Sequence, residues 1–90
     1  MLSVFAGNVR LVRQLRGLSQ SELGDRSDLD RTYVSGIERK LRNLGIRNIQ
    51  RIAEALHVDP RLLLDPHLSK RVASSASLDE LNRNTVHNKP

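Results

Sequence analysis

Ninety residues, 38% hydrophobic and 28% charged, build one small domain with a modest core and leave little for a deep catalytic cleft. Fifteen Lys and Arg face ten Asp and Glu, a formal charge of +5, so nucleic acid and anionic membrane surfaces are the first partners to consider. No cysteine is present, which excludes disulfide scaffolds and thiolate metal sites. No run approaches the roughly 18 consecutive apolar residues of a membrane span. The opening MLSVFAGNVR is too short an apolar run for a secretory signal, and the expectation is a cytoplasmic protein with no membrane partner. One Phe, one Tyr and no Trp leave no platform for stacking unpaired bases, which favours a duplex read from its groove.

Phe5, Val9, Val12 and Arg16 fall on one stripe of a helix over about residues 4–16, which Gly17 ends as a left-handed residue. Ser19-Gln20-Ser21-Glu22 is a capping box that opens a second helix, about 19–26, burying Leu23 and Gly24. The turn 27–30 has Leu29 as its apolar plug, and Asp30 caps a third helix, about 30–39. Val34, Ile37 and Leu41 of that helix turn inward, while Arg31, Thr32, Ser35 and Arg39 share a polar face. From 39 to 53 there are five basic residues, Arg39, Lys40, Arg42, Arg47 and Arg51, and no acidic one. A fourth helix, about 45–56, buries Ile46, Ile49, Ile52, Ala53 and Leu56. Asp59-Pro60 starts a short fifth helix carrying Leu62, Leu63 and Leu64. The fold class is therefore all-α: a compact five-helix domain over 1–66, followed by a polar tail over 67–90. Ser77-Leu78-Asp79-Glu80 gives that tail a second capping box and one or two turns of helix, with Leu78 and Leu81 as a small apolar edge. Its last half-dozen residues are expected to be disordered.

A capped helix, a short turn and a second capped helix with a polar outer face form the pattern of a helix-turn-helix. A helix fits the major groove, and its N-terminal side chains reach base edges. Arg31 suits a bidentate contact to guanine, and Thr32 offers a hydroxyl and a methyl. Ser35 and Gly36 let the helix lie close to the bases. Arg39, Lys40, Arg42, Asn43 and Arg47 follow where the chain meets phosphates, with affinity then falling steeply as salt rises. Tyr33 reads as a partly buried residue packing on Leu29 with an edge toward the phosphates.

The stretch 9–64 resembles the Cro/repressor-type (XRE-like) helix-turn-helix family. The resemblance rests on Val9-Arg10, Val12-Arg13, Gly17-Leu18-Ser19-Gln20, Glu22-Leu23, Val34, Ile37-Glu38, Ile49, Ile52-Ala53, Ala55-Leu56 and Val58. Within it, Asp30 to Arg39 followed by Arg42-Asn43-Leu44 is similar to the controller proteins of restriction–modification systems. The resemblance implies a homodimer on a palindromic double-stranded DNA operator, two dimers loading in turn, and regulation of its own gene together with an endonuclease gene. It also implies phosphate contacts from Gln20 and Asn43 and a buried ion pair between Arg13 and Glu38. Leu56, Leu62, Leu63 and Leu64 are the expected dimer interface. Glu22 and Asp25 stand where activating members touch RNA polymerase, although capping alone accounts for Glu22. Three departures from the family stand out: Gly24 for the usual Ala, Lys40 for Gly, and Leu44 for Pro.

Two alternatives use the same helices: a phage or plasmid repressor, and an antitoxin or protein-interaction module whose tail wraps a toxin. An enzyme fares badly, since the Asp25, Asp28 and Asp30 cluster lacks a His or Cys partner for nucleophilic chemistry. His57, His67 and His87 lack metal-ligand spacing, so no catalytic residue, metal or cofactor is expected.

Overall fold

Side-chain caps set where most of the helices begin. Ser19 Oγ accepts from the Glu22 amide at 3.0 Å while Glu22 Oε1 accepts from the Ser19 amide at 2.8 Å, closing the capping box expected from the sequence. Asp30 Oδ1 accepts from the Thr32 amide at 3.0 Å, and Asp59 Oδ1 from the Arg61 amide at 2.9 Å. The Glu80 amide donates to Ser77 Oγ at 3.1 Å. The computed structural model describes residues 2–40, 45–74 and 77–87. Its described helices are α1 (Leu2–Leu15), α2 (Gln20–Ser27), α3 (Arg31–Glu38), α4 (Ile46–Leu56), α5 (Pro60–Leu63), α6 (Leu68–Ser74) and α7 (Leu78–His87).

The core lies where α1 meets α3, α4, α5 and α6. Phe5, Val9 and Val12 of α1 are buried with Leu23, Val34, Ile37, Ile52, Leu56, Leu62 and Leu63, as their helical spacing requires. Ile46 departs from the expected inward face of α4. It is 77% exposed because it is the first residue of the helix, before the helix reaches its neighbours. Leu41 and Leu44 lie outside the described residues.

Two described helices lie beyond the expected five-helix domain: α6, which is not expected from the sequence, and α7, which starts after the expected Ser77 box and runs to His87, into the last half-dozen residues expected to be disordered. Leu68 of α6 and Leu78 and Leu81 of α7 are buried in the common core. With Val72 packed against the same core, these few apolar residues suffice, because they enter a surface already formed by α1 and α5.

Asn8 of α1, Arg16 just after it and Asn82 of α7 hold the carbonyl ends of other helices. Asn8 is buried and donates from Nδ2 to the carbonyls of Leu62 (3.4 Å), Leu63 (3.0 Å) and Asp65 (2.8 Å). Arg16 donates to the carbonyls of Leu56 (2.9 Å) and His57 (3.1 Å) and to Asp79 (2.7 Å). Asn82 accepts from the Asp59 amide at 2.7 Å and donates to the His57 carbonyl at 3.3 Å. Most of these contacts bring a side-chain donor to carbonyls at or just past the ends of α4 and α5.

Leu56, Leu62 and Leu63 are fully buried in the chain's own core. They have no surface left for a second copy, which corrects their assignment to the dimer interface. Leu64 alone of the four is half-buried.

Candidate nucleic-acid interface

α2 and α3 form a helix-turn-helix whose turn is closed by backbone. The Leu29 amide donates to the Gly24 carbonyl at 2.8 Å, and Asp28 takes the left-handed conformation (φ 58) that ends α2. A Cβ placed on Gly24 would lie 2.6 Å from the Leu29 carbonyl oxygen and 3.3 Å from the Arg31 nitrogen. Glycine here is a condition of the close approach of the turn to α2, and the lost helix propensity that the sequence suggests is its lesser consequence.

Arg13 and Glu38 form the buried pair that the family resemblance implies. Nε and Nη2 of Arg13 reach Oε2 and Oε1 of Glu38 at 2.7 and 3.0 Å, with side-chain exposures of 12% and 4%. Arg13 Nη1 also donates to the Leu18 carbonyl at 2.8 Å. The hydrogen bond to Glu38 raises the Arg13 pKa above its ordinary value, burial opposing. The fork fixes the C-terminal end of α3 against α1 and the chain entering α2. Gln20 Nε2 donates to Glu38 Oε1 at 3.3 Å, which sets Gln20 at the start of α2 with its amide turned to this pair. The hydrogen bonds from Ser19 hold the Glu22 carboxyl below its ordinary range.

On the outer side of α3, Arg31 and Thr32 are exposed and Ser35 is half-buried. Arg39 and Lys40 follow, both exposed, and Arg47 is exposed in the first turn of α4. The structure therefore gathers Arg31, Thr32, Ser35, Arg39 and Lys40 on and just after one helix. Gly36 is buried, which removes it from the set that could meet bases. Arg42 and Asn43 lie outside the described residues. Lys40 has φ 64, in the left-handed region that favours glycine, the residue the resemblance expects here. Tyr33 packs against the core, and its hydroxyl accepts from Asn48 Nδ2 at 2.8 Å. Neither that bond nor the Asn8 and Arg16 contacts had a local sequence signal, since their partners lie 15 to 63 residues away.

A family model described as helix-turn-helix matches residues 9–63, which contains α2, α3 and the ion pair. The chain belongs to the helix-turn-helix family. A Neisseria meningitidis protein described as a hypothetical transcription factor is 48% identical over 64 residues, 71% of this chain and 60% of that one. The chain thus spans less than two thirds of that relative. The restriction–modification controller protein C.AhdI from Aeromonas hydrophila is similar at 45% identity and a TM-score of 0.67, over 69% of this chain and 94% of that one. The controller protein C.Esp1396I, solved as a tetramer in complex with its natural 35 base-pair operator, is 36% identical with a TM-score of 0.67, over 80% and 93% of the two chains. The chain is homologous to restriction–modification controller proteins. Among its described residues no helix is long and apolar enough to cross a membrane.

Proposed function

We propose that the chain is a cytoplasmic DNA-binding regulator without catalytic activity, which binds a palindromic operator as a homodimer and controls its own gene with that of a restriction endonuclease. The observation that carries this reading is the face of Arg31, Thr32 and Ser35 on a helix capped by Asp30 at its start and tied to α1 at its end, with Arg39, Lys40 and Arg47 exposed after it. Side chains at the start of α3 meet base edges, and the basic residues that follow neutralise phosphates. The solved operator complex of a related controller tetramer supports a duplex partner and the loading of more than one dimer. Activation would add an RNA polymerase contact, for which Asp25 stands exposed on α2 while Glu22 is engaged in its cap. The antitoxin alternative loses its wrapping segment, because α6 and α7 place Leu68, Leu78 and Leu81 in this chain's own core.

Two substitutions test the assignment. Arg31→Ala should cost about 1–3 kcal/mol on the operator and relax preference at one base pair. Arg39→Ala should weaken binding to any duplex and make the salt slope shallower by about 0.9. Equal losses on all sequences for Arg31→Ala would move Arg31 to the phosphate set and leave the base-reading proposal without its main residue.

A further inference from the structure

The phenol of Tyr33 is tied to a residue outside the basic face. Asn48, the third residue of α4, donates from Nδ2 to Tyr33 Oη at 2.8 Å, and both side chains are half-buried. Tyr33 is the third residue of α3, next to Thr32 and two residues before Ser35. The bond therefore spans the 41–44 connection and joins the first turn of the reading helix to the first turn of α4. The ring of Tyr33 packs against the core while its oxygen is held from α4.

A tyrosine ring on a helix has a small set of rotamers, and an amide donor at hydrogen-bond distance selects one of them. An oxygen that accepts from an amide also turns its own hydrogen toward any further acceptor. The contact thus sets both the place and the polarity of the hydroxyl. We infer that Asn48 is a positioning residue for sequence reading, which holds the Tyr33 phenol at the edge where α3 meets the duplex and contacts no base itself. This rests on the reading that α3 faces operator DNA.

The chain contains one tyrosine and no tryptophan, so its tyrosine emission reports Tyr33 alone. The full chain, Asn48→Ala, Tyr33→Phe and the double variant would be titrated with the duplex immediately upstream of the protein's own gene and with a scrambled duplex of the same composition. Tyrosine emission of the free protein and thermal melting would be recorded alongside. Asn48→Ala and Tyr33→Phe should each lower the ratio of the two affinities about 2- to 10-fold, the scale of one hydrogen bond. The double variant should lower it no further, and Asn48→Ala should change the emission of the free protein. Asn48→Ser, which keeps a shorter hydroxyl, carries the same comparison if the alanine variant fails to fold.

An unchanged ratio with only a lower melting temperature would make the bond structural and overturn the inference. Equal loss on both duplexes would make Asn48 a phosphate contact, and additive losses would uncouple it from Tyr33. Either result also overturns it. A wild-type chain with no preference for the upstream duplex would fail earlier, at the DNA reading itself, and is distinguished because no variant is needed to see it.

Discussion

The reading unit, α2 and α3, and the corner formed by the end of α4, α5 and α7 are held in opposite ways. Around α2 and α3 the closing bonds are local: Ser19 with Glu22, Asp30 with Thr32, and the Leu29 amide with the Gly24 carbonyl. Around the corner they come from far along the chain. Asn8 reaches Leu63 across 55 residues, and Arg16 reaches Asp79 across 63. Local capping marks where each helix begins within a few residues of sequence, while packing of Leu23, Val34 and Ile37 in the common core keeps these short helices folded. Long-range capping requires the whole domain to assemble first, and it ties α7 to the rest. The part of the molecule proposed to meet DNA is thus the part whose helix starts its own short sequence marks, with Arg13 of α1 and Asn48 of α4 fixing α3 in place.

The ion pair between α1 and α3 is the link between the two regions, and breaking it should have the largest effect. Arg13→Met leaves Glu38 buried without its cation and should destabilise by about 3–5 kcal/mol. A double replacement, Arg13→Met with Glu38→Leu, should recover much of that in a denaturant titration. If the single and double variants were equally unstable, the loss would come from packing rather than charge.

Asn8→Ala tests the long-range corner. It removes one donor from three carbonyls and should cost about 1–3 kcal/mol, with faster amide exchange confined at first to α5 and α7. Exchange rising equally in α2 and α3 would show that the two regions do not differ in the way described. Gly24→Ala tests the local unit from the other side. The methyl meets the Leu29 carbonyl, so a cost of about 1–3 kcal/mol is expected despite a gain in helix propensity of about 1 kcal/mol.

Lys40→Gly should act in the opposite direction. Relief of the left-handed backbone at φ 64 is worth about 1–2 kcal/mol, and the greater freedom of glycine in the unfolded chain offsets about 0.5–1 kcal/mol. A small rise in melting temperature should therefore accompany weaker binding to every duplex, measured by titration at two salt concentrations. Stronger operator binding would take Lys40 out of the phosphate set.

Acid titration separates the regions least but reaches both. Hydrogen bonds from Ser19 lower the Glu22 pKa. Burial pushes the Asp65 carboxyl up, but the His67 amide and Arg71 guanidinium outweigh it and leave it lowered. A carboxylate with a depressed folded pKa contributes stability above its unfolded value, about pH 4, and loses it as pH falls through the folded one. Melting temperature should drop below pH 4, and Glu22→Gln or Asp65→Asn should each make that drop shallower.

The same contrast explains what was legible in the sequence. The starts of α2, α3 and α5, the inward faces of Val34 and Ile37, and the polar face of Arg31, Thr32 and Ser35 were all readable, because each is written within a few residues. In the sequence Gly24 stands out only as a departure from the usual Ala, because only the folded turn shows what a Cβ would strike. Gly36 was placed with the base-reading residues, yet it is buried. Leu56, Leu62 and Leu63 look like an interface when the chain is assumed to end its core at α5. Leu78 and Leu81 show that it does not. Asn8 and Arg16 were missed as helix-end donors because nothing in a polar residue on an apolar stripe names an acceptor 40 to 60 residues away. Asp28 and His57, with φ of 58 and 57, end α2 and α4 without the glycine that marks such ends in sequence.

The most direct test is a binding titration of the full chain against the duplex immediately upstream of its own gene and against a random duplex, each at two salt concentrations. Tight, palindrome-dependent binding to the first in two steps, with a steep loss as salt rises on both, is the predicted result. Equal affinity for the two duplexes at both salt concentrations would contradict it and reduce α3 to a charged surface without a sequence to read.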